Sequence, residues 1–312
     1  DYYGRVLSRA LPEGMSEYFE YVDAERKVIY TDFNGDTITT IQDEMGRVQR
    51  VEYSKDGAVE SFTYWPNDQV KTATTAEGTT EYFYDQRNRL DYELRPDGTR
   101  MDYDYDLVGN RTQVKVTRAG TVTSQMSYTY DALNRLKTAT NDLAPGETTA
   151  YTYDPAGNLD TVTYPNGLVT DYDYNSINQL TDVYTRDGSG TLIGHYAYKL
   201  DNTGRRTVVT EQNGRTNAYC HDELYRLKAE TIFDAVTSLT EGCLTPAQRT
   251  GASYTADYEY DWTGNRTYET VDGVQTAYSY DMNDRLQQTG GTVYGYDDNG
   301  NTISETLNGV TS

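Results

Sequence analysis

The chain has 312 residues, with 49 acidic against 27 basic side chains and a formal net charge of −22, a balance that argues against nucleic-acid binding, which rests on neutralising phosphates with Lys and Arg. No apolar run is long enough to cross a bilayer as a helix, so no membrane span is expected. Leu, Ile, Val and Phe supply only 52 residues, a combination that with such a charge suggests disorder, but 32 Tyr stand in for them, each with a large ring to bury and a hydroxyl that needs a partner.

The chain opens at DYYGRVLSRA, in mid-pattern and without a signal peptide, so the natural N-terminus is expected to lie further upstream. From there a unit of strand, tight turn, strand and wider turn recurs. Weak copies end at Tyr21, Ile41 and Tyr64, with Phe19 and Phe62 two residues before the first and last of these. Strong copies end at Tyr84, Tyr105, Tyr130, Tyr153, Tyr174, Tyr198, Tyr219, Tyr260, Tyr280 and Tyr296. A second aromatic usually stands two residues earlier, as Tyr103 does before Tyr105; residues i and i+2 share a sheet face.

The tight turns carry Asp56-Gly57, Glu77-Gly78, Asp97-Gly98, Asn166-Gly167, Asn213-Gly214, Asp272-Gly273 and Asn308-Gly309. They read as two-residue hairpin loops whose central residues both take positive φ. Pairing outward from Asp97-Gly98 then sets Leu94 opposite Met101, Tyr92 opposite Tyr103 and Leu90 opposite Tyr105. The expected result is one Tyr-rich face and one charged face.

The wider turns open on Asp85, Asp106, Asp131, Asp154, Asp261, Asp281 and Asp297, where a carboxylate accepts hydrogen bonds from amides further round the turn. Their left-handed position reads Asn88, Gly109, Asn134, Gly157, Asn178, Gly204, Tyr225, Gly264, Asp284 and Gly300. All but Tyr225 are residue types that tolerate positive φ. The alternation of Gly with Asn or Asp suggests that units come in non-identical pairs.

Two places break the rhythm. A longer NDLAPGE loop separates Tyr130 from Tyr153, and an insertion at about 232–256 separates Tyr219 from Tyr260. The domain reading is a single repeat array over 1–312, with repeats over about 20–302. Cys220 and Cys243 flank the insertion; a disulfide closing it and two unrelated free thiols are both open.

No catalytic, metal or cofactor site is assigned. A glycosidase needs one unique carboxylate pair, whereas these aspartates recur at one place in successive units. Asp102, Asp104 and Asp106 resemble the start of a calcium loop, but Leu107 holds the sixth place where Gly is needed and Gln113 the twelfth where Glu is needed. His195 and His221 are the two histidines, and no zinc spacing, phosphate loop or dinucleotide fingerprint is present. GNRT at Asn110 and Asn265 fits a glycosylation acceptor, and the turn motif accounts for both residues equally well.

YDLVGNR from Tyr105, YDALNRL from Tyr130, YDPAGNL from Tyr153, YDWTGNR from Tyr260 and YDMNDRL from Tyr280 resemble the YD repeats of Rhs proteins, which also occur in teneurins and in the C components of bacterial insecticidal toxin complexes. The resemblance implies an all-β fold, a repetitive antiparallel β-hairpin ribbon curling into a hollow or open shell. It implies an extracellular or cell-surface location and a non-enzymatic scaffold that encloses or displays a toxin or other cargo. Expected partners are other segments of a longer Rhs-like protein or an enclosed effector. A second reading is an adhesion module that binds carbohydrate or a surface protein. The chain lacks a clear match to the family's core segment with its self-cleavage carboxylates, to its plug domain and to a variable tail, so toxicity and autoproteolysis are not carried over. Independently, about 26 strands at roughly 4.8 Å spacing make a strip of about 125 Å, which twist forbids from lying flat. The aromatic rows are expected on its concave side.

Overall fold

The computed structural model describes residues 1–11, 14–235, 238–307 and 309–311. Among them are 28 strands, from Ser8–Ala10 to Val310–Thr311, and one three-residue 3-10 turn at Asp23–Glu25. Strands pair antiparallel with their sequence neighbours, as Lys27–Thr31 does with Thr37–Gln42 and Val169–Tyr174 with Leu180–Arg186. The strands are rich in Thr, Val and Tyr, which fit a pleated, half-buried surface. Threonines facing each other across a pair share hydroxyl hydrogen bonds, Thr63 with Thr72 at 2.6 Å and Thr152 with Thr161 at 2.7 Å, so polar residues also hold the ladder together.

The chain divides into two compact units. The first comprises Asp1–Ser127, Asp281–Arg285 and Val293–Ser312; the second comprises Tyr128–Tyr280 and Leu286–Thr292. In the first unit the buried side chains are polar, Glu17 and Thr99. The Glu17 carboxylate accepts from the Tyr30 hydroxyl at 2.8 Å and pairs with Arg9 at 2.7 Å, which meets the need of a buried charge for partners. The second unit holds the buried apolar side chains, Val162, Val208, Ala218, Ala229, Phe233, Leu244 and Ala256.

The register of the hairpin over residues 90–105 differs from the sequence expectation. Leu94 pairs with Arg100, Met101 with Glu93 and Tyr92 with Asp102. The cause is the turn. Arg95 N donates to Thr99 O at 2.8 Å and Gly98 N to Arg95 O at 2.9 Å, with Gly98 at φ 76° and Asp97 outside the left-handed region. This is a type I turn closed by a left-handed glycine, a longer loop than the two-residue type. The register therefore shifts by one residue, and such a slip exchanges faces. Tyr92 stacks on Phe83 at 4.3 Å between ring centroids, on the face that carries Asp102, so the expected split into one Tyr face and one charged face is not found. The turns at Asn166-Gly167 and Asn213-Gly214 have the same bonding as that at Asp97-Gly98. Two-residue loops with positive φ at both positions occur at Ala119-Gly120 and Asp272-Gly273.

The repeat anchors sit immediately after β-bulges, as at Tyr105, Tyr174 and Tyr260. The same irregularity sets the anchor at Gln42, Leu200 and His221. Ile41, Tyr198 and Tyr219 therefore do not hold the anchor place: Tyr198 and Tyr219 are the aromatics two residues before it, where the bulge and the following Asp fix the count.

Candidate functional site: the turn rim and the disulfide-closed insertion

Each wider turn is organised by its opening carboxylate. Asp106 Oδ1 accepts from the amides of Val108 at 3.0 Å and of Gly109 and Asn110 at 2.8 Å. The pattern recurs at Asp85, Asp131, Asp154, Asp261, Asp281 and Asp297, and also at Asp43, Asp201 and Asp222. Hydrogen bonds to the charged form favour it; the Arg89 amide, and then its guanidinium, hold the Asp85 carboxyl below the usual carboxylate range. All ten left-handed positions have positive φ, from 60° at Asn178 to 108° at Gly109. Tyr225 is among them at φ 67°, although a Cβ is strained there.

The residue that closes the turn, four after the aspartate, was not singled out in the sequence, yet it separates two kinds of turn. In one kind it is arginine. Arg47, Arg89, Arg135, Arg205, Arg226 and Arg285 return to Asp43, Asp85, Asp131, Asp201, Asp222 and Asp281 through Nε at 2.5–2.8 Å. In the other kind it is asparagine, as Asn110, Asn158 and Asn301 return to Asp106, Asp154 and Asp297 at 2.8–2.9 Å.

The arginine also reaches forward. Arg89 lies 4.4 Å from the Tyr105 ring centroid and donates through Nη1 to Asp106 O at 3.0 Å. Arg226 does the same with Tyr260 and Asp261 O, and Arg285 with Tyr296 and Asp297 O; Arg135 covers the Tyr153 ring at 4.3 Å. Each is a cation–π contact, joined at Arg89, Arg226 and Arg285 by a hydrogen bond to the next turn. Arg205 has no anchor ring ahead of it, because His221 stands in that place; it stacks 4.4 Å from Tyr225 instead. That contact gives the strained tyrosine a purpose.

The anchor rings return the link. The hydroxyls of Tyr84, Tyr105, Tyr153, Tyr260 and Tyr280 donate to the carbonyls of Val70, Leu90, Leu136, Leu227 and Arg266 at 2.7–3.0 Å. Each acceptor is the residue just after the preceding turn. Burial pushes the Tyr84 and Tyr174 hydroxyls up. Tyr103 and Tyr198, two residues ahead of their anchors, lie under Arg111 at 5.0 Å and Arg206 at 4.1 Å. Asn178 Oδ1 accepts from Asn158 at 3.0 Å, and Gln179 closes on Gly204 so tightly that a Cβ there would lie 2.7 Å from its amide nitrogen. Tyr130 also has a partner among the described residues.

The insertion occupies 234–253, between the strands Leu227–Phe233 and Tyr254–Tyr260. Cys220 and Cys243 are joined, with Sγ atoms 2.02 Å apart and a sequence separation of 23. Leu244 packs with Ala218 and Phe233, and Leu239 and Ala252 flank them. A Cβ on Gly242 would stand 2.0 Å from Tyr219 O and 2.5 Å from Thr207 O, so this residue lies directly against two strands and no side chain fits there. Lys199 Nζ donates to Leu239 O, and Arg249 pairs with Asp257 at 2.7 Å.

Asp102 and His195, singled out in the sequence, have partners, whereas the buried Nδ1 of His221 has no hydrogen-bond partner among the described residues. Asp102 pairs with Arg100 at 2.6 Å and with Lys115 at 3.6 Å. His195 Nε2 lies 2.9 Å from Asp182 Oδ1, with its ring stacked on Tyr184. In the first unit, Trp65, Phe83 and Tyr84 line a cleft of about 340 Å³ together with Asn67, Gln69, Asp85 and Asn88.

These features define a class: an all-β array of antiparallel hairpins in which, within each unit, aspartate turns are bonded to the hairpin that follows. Residues 95–231 match the family model of the teneurin YD-shell, in keeping with the YD repeats of the sequence. The chain is 28% identical over 271 residues to the tRNA nuclease WapA of Bacillus subtilis and 28% identical over 306 residues to the tRNA3(Ser)-specific nuclease WapA of Bacillus spizizenii, alignments that take in 83% and 92% of this chain. The chain spans 10% and 11% of the length of those relatives. Among solved structures it is similar to the TcdB2-TccC3-TEV crystal structure, with TM-score 0.38 and 14% identity, over 98% of this chain and 24% of that one. The Photorhabdus luminescens Tc holotoxin pore gives TM-score 0.38 and 13% identity over the same shares.

Proposed function

We propose that the chain is a wall segment, a non-enzymatic part of an Rhs-like YD shell that encloses or displays a toxin or other effector, and that it works as one array. The observation that supports this is the use made of the repeated polar residues. The turn carboxylates are occupied by their own amides and closing side chains, and the arginines by the next unit, so the repeat serves construction rather than chemistry. Its partners are other segments of a longer protein and the enclosed effector. The disulfide agrees with a secreted or cell-surface setting, since such bonds persist in oxidising compartments. The test is limited proteolysis of the full-length parent: an effector segment resists cleavage while the array is folded and is cut once the array is opened with denaturant. Equal cleavage in both states overturns the reading.

The nuclease activity in the names of the WapA relatives is not proposed for this chain. Its net charge of −22 opposes a polyanion, and incubating the purified chain with tRNA is expected to leave the RNA intact. The cleft beside Trp65 favours a second reading, adhesion through glycan or protein binding. A glycan-array signal lost in Trp65→Ala raises that reading, and an array blank for the parent chain lowers it.

A further inference from the structure

In the first unit two turns far apart in sequence grip each other. Asn299 Nδ2 donates to Asp32 Oδ2 at 2.6 Å, and its Oδ1 accepts from the Phe33 amide at 3.0 Å. Asn34 answers in kind: Nδ2 donates to Asp297 Oδ2 at 3.0 Å, and Oδ1 accepts from the Asn299 amide at 3.2 Å. Each asparagine thus bonds one backbone amide and one carboxylate of the opposite turn. The two turns read Asp32-Phe33-Asn34-Gly35 and Asp297-Asp298-Asn299-Gly300, and the pattern D-x-N-G occurs at no other place in the 312 residues. Related turns lack one half of it: Tyr164-Pro165-Asn166-Gly167 and Glu211-Gln212-Asn213-Gly214 have the asparagine without the aspartate.

The chemistry explains the pairing of residue types. The aspartate's Oδ1 is taken by its own turn, at the Asp36 amide at 2.8 Å and the Asn301 amide at 2.8 Å, which leaves Oδ2 to accept from the opposite asparagine; at Asp297 that oxygen is shared with Asn301 Nδ2 at 2.9 Å. The left-handed Gly35 and Gly300, at φ 86° and 85°, turn the chain just after the asparagine. A carboxylamide carries one donor group and one acceptor and so matches an outward carboxylate beside a free amide. Both turns present the same set, so each is the complement of the other.

We infer that the D-x-N-G turn is a self-complementary recognition element, and that Asn34 and Asn299 latch the hairpin at Asp297–Asn301 onto the hairpin at Asp32–Asp36 by reading that motif. The occupant of each turn is the other D-x-N-G turn of the same chain. The latch does not depend on whether a cargo is enclosed, so its test and the proteolysis test fail separately.

Hydrogen exchange on the intact chain reads it directly. In Asn299→Ala the Phe33 amide loses its acceptor, and its exchange is expected to speed up about tenfold or more, as are amides within residues 302–307. Asn34→Ala is expected to expose the Asn299 amide to a similar degree, and combining the two substitutions to add little to either alone. Asn213→Ala, which removes the third-position asparagine of a turn outside the latch, leaves Phe33 unchanged. Protection of residues 148–174 reports that the variants are folded. With that protection kept, a Phe33 amide that exchanges in Asn299→Ala within twofold of the parent overturns the inference, as does an equal acceleration by Asn213→Ala.

Discussion

The hairpin array and the insertion at 234–253 are held by different physics. Along the array the recurrent contacts are a carboxylate in a turn, a guanidinium over a ring and a hydroxyl on a carbonyl, most of them half-exposed. Under the insertion a disulfide and the Ala218, Phe233 and Leu244 cluster close a small apolar core. An array whose units bond mainly to their neighbours gains stability by repetition. A single excursion has no neighbour of its own kind, and it is held by a covalent link and apolar burial instead. The comparison shows how the array manages with few aliphatic residues: its recurrent contacts are polar, and the Ala218, Phe233 and Leu244 cluster lies where the repeat is interrupted.

Acid breaks the comparison most strongly. The turn aspartates, among them Asp85, Asp106, Asp131, Asp154, Asp222, Asp261, Asp281 and Asp297, all titrate below their ordinary value of 3.8. A carboxyl with a depressed folded value contributes stability that is complete above its unfolded value and is lost as pH falls through the folded one. The array is therefore expected to loosen below about pH 4, while the disulfide and the apolar cluster do not titrate there. Exchange or near-ultraviolet dichroism followed from pH 6 to 2, with mass analysis by segment, separates the two; simultaneous loss of both regions contradicts the distinction.

Within the insertion, Phe233→Ala is expected to cost about 3–4 kcal/mol in urea unfolding, as for a buried ring replaced by a cavity. Converting Cys220 and Cys243 to serine is expected to cost about 3 kcal/mol by freeing the loop in the unfolded chain, and to make 234–253 the first site of protease cleavage. Smaller effects belong to single turns. Gly109→Val forces a branched side chain into left-handed backbone and is expected to cost about 1–2 kcal/mol, whereas Tyr225→Gly removes that strain and loses the Arg205 stack, leaving a net change under about 1 kcal/mol. Paired denaturation curves check the contrast.

The sequence made the left-handed positions legible because so few residue types accept positive φ, and the turn carboxylates legible because they recur. Even Tyr225, the one poor match, adopts the conformation its place in the repeat demands. Strand register was not legible. Asp-Gly suits both a two-residue loop and the longer type I loop found at Arg95–Thr99, and one residue of difference sends Tyr92 to the face of Asp102. The anchors at Leu200 and His221 were missed because the aromatic two places earlier is the more conspicuous residue. The turn-closing arginines carried a local signal, a basic residue four after six of the turn aspartates, but their forward reach depends on the geometry of the next hairpin. The grip of Asn34 on Asn299 joins positions too distant for any periodicity to expose.

The two kinds of closing residue bear on how such a protein can change length. Because an arginine turn docks onto a tyrosine and, in three cases, onto the carbonyl of an asparagine turn, the smallest self-consistent building block is two hairpins rather than one. Losing or gaining a single hairpin would bring like turns together, as at Arg205 and Arg226, where a tyrosine in strained backbone makes the join. Evolution by duplication should accordingly proceed in even steps, and an odd step should leave a scar of that kind.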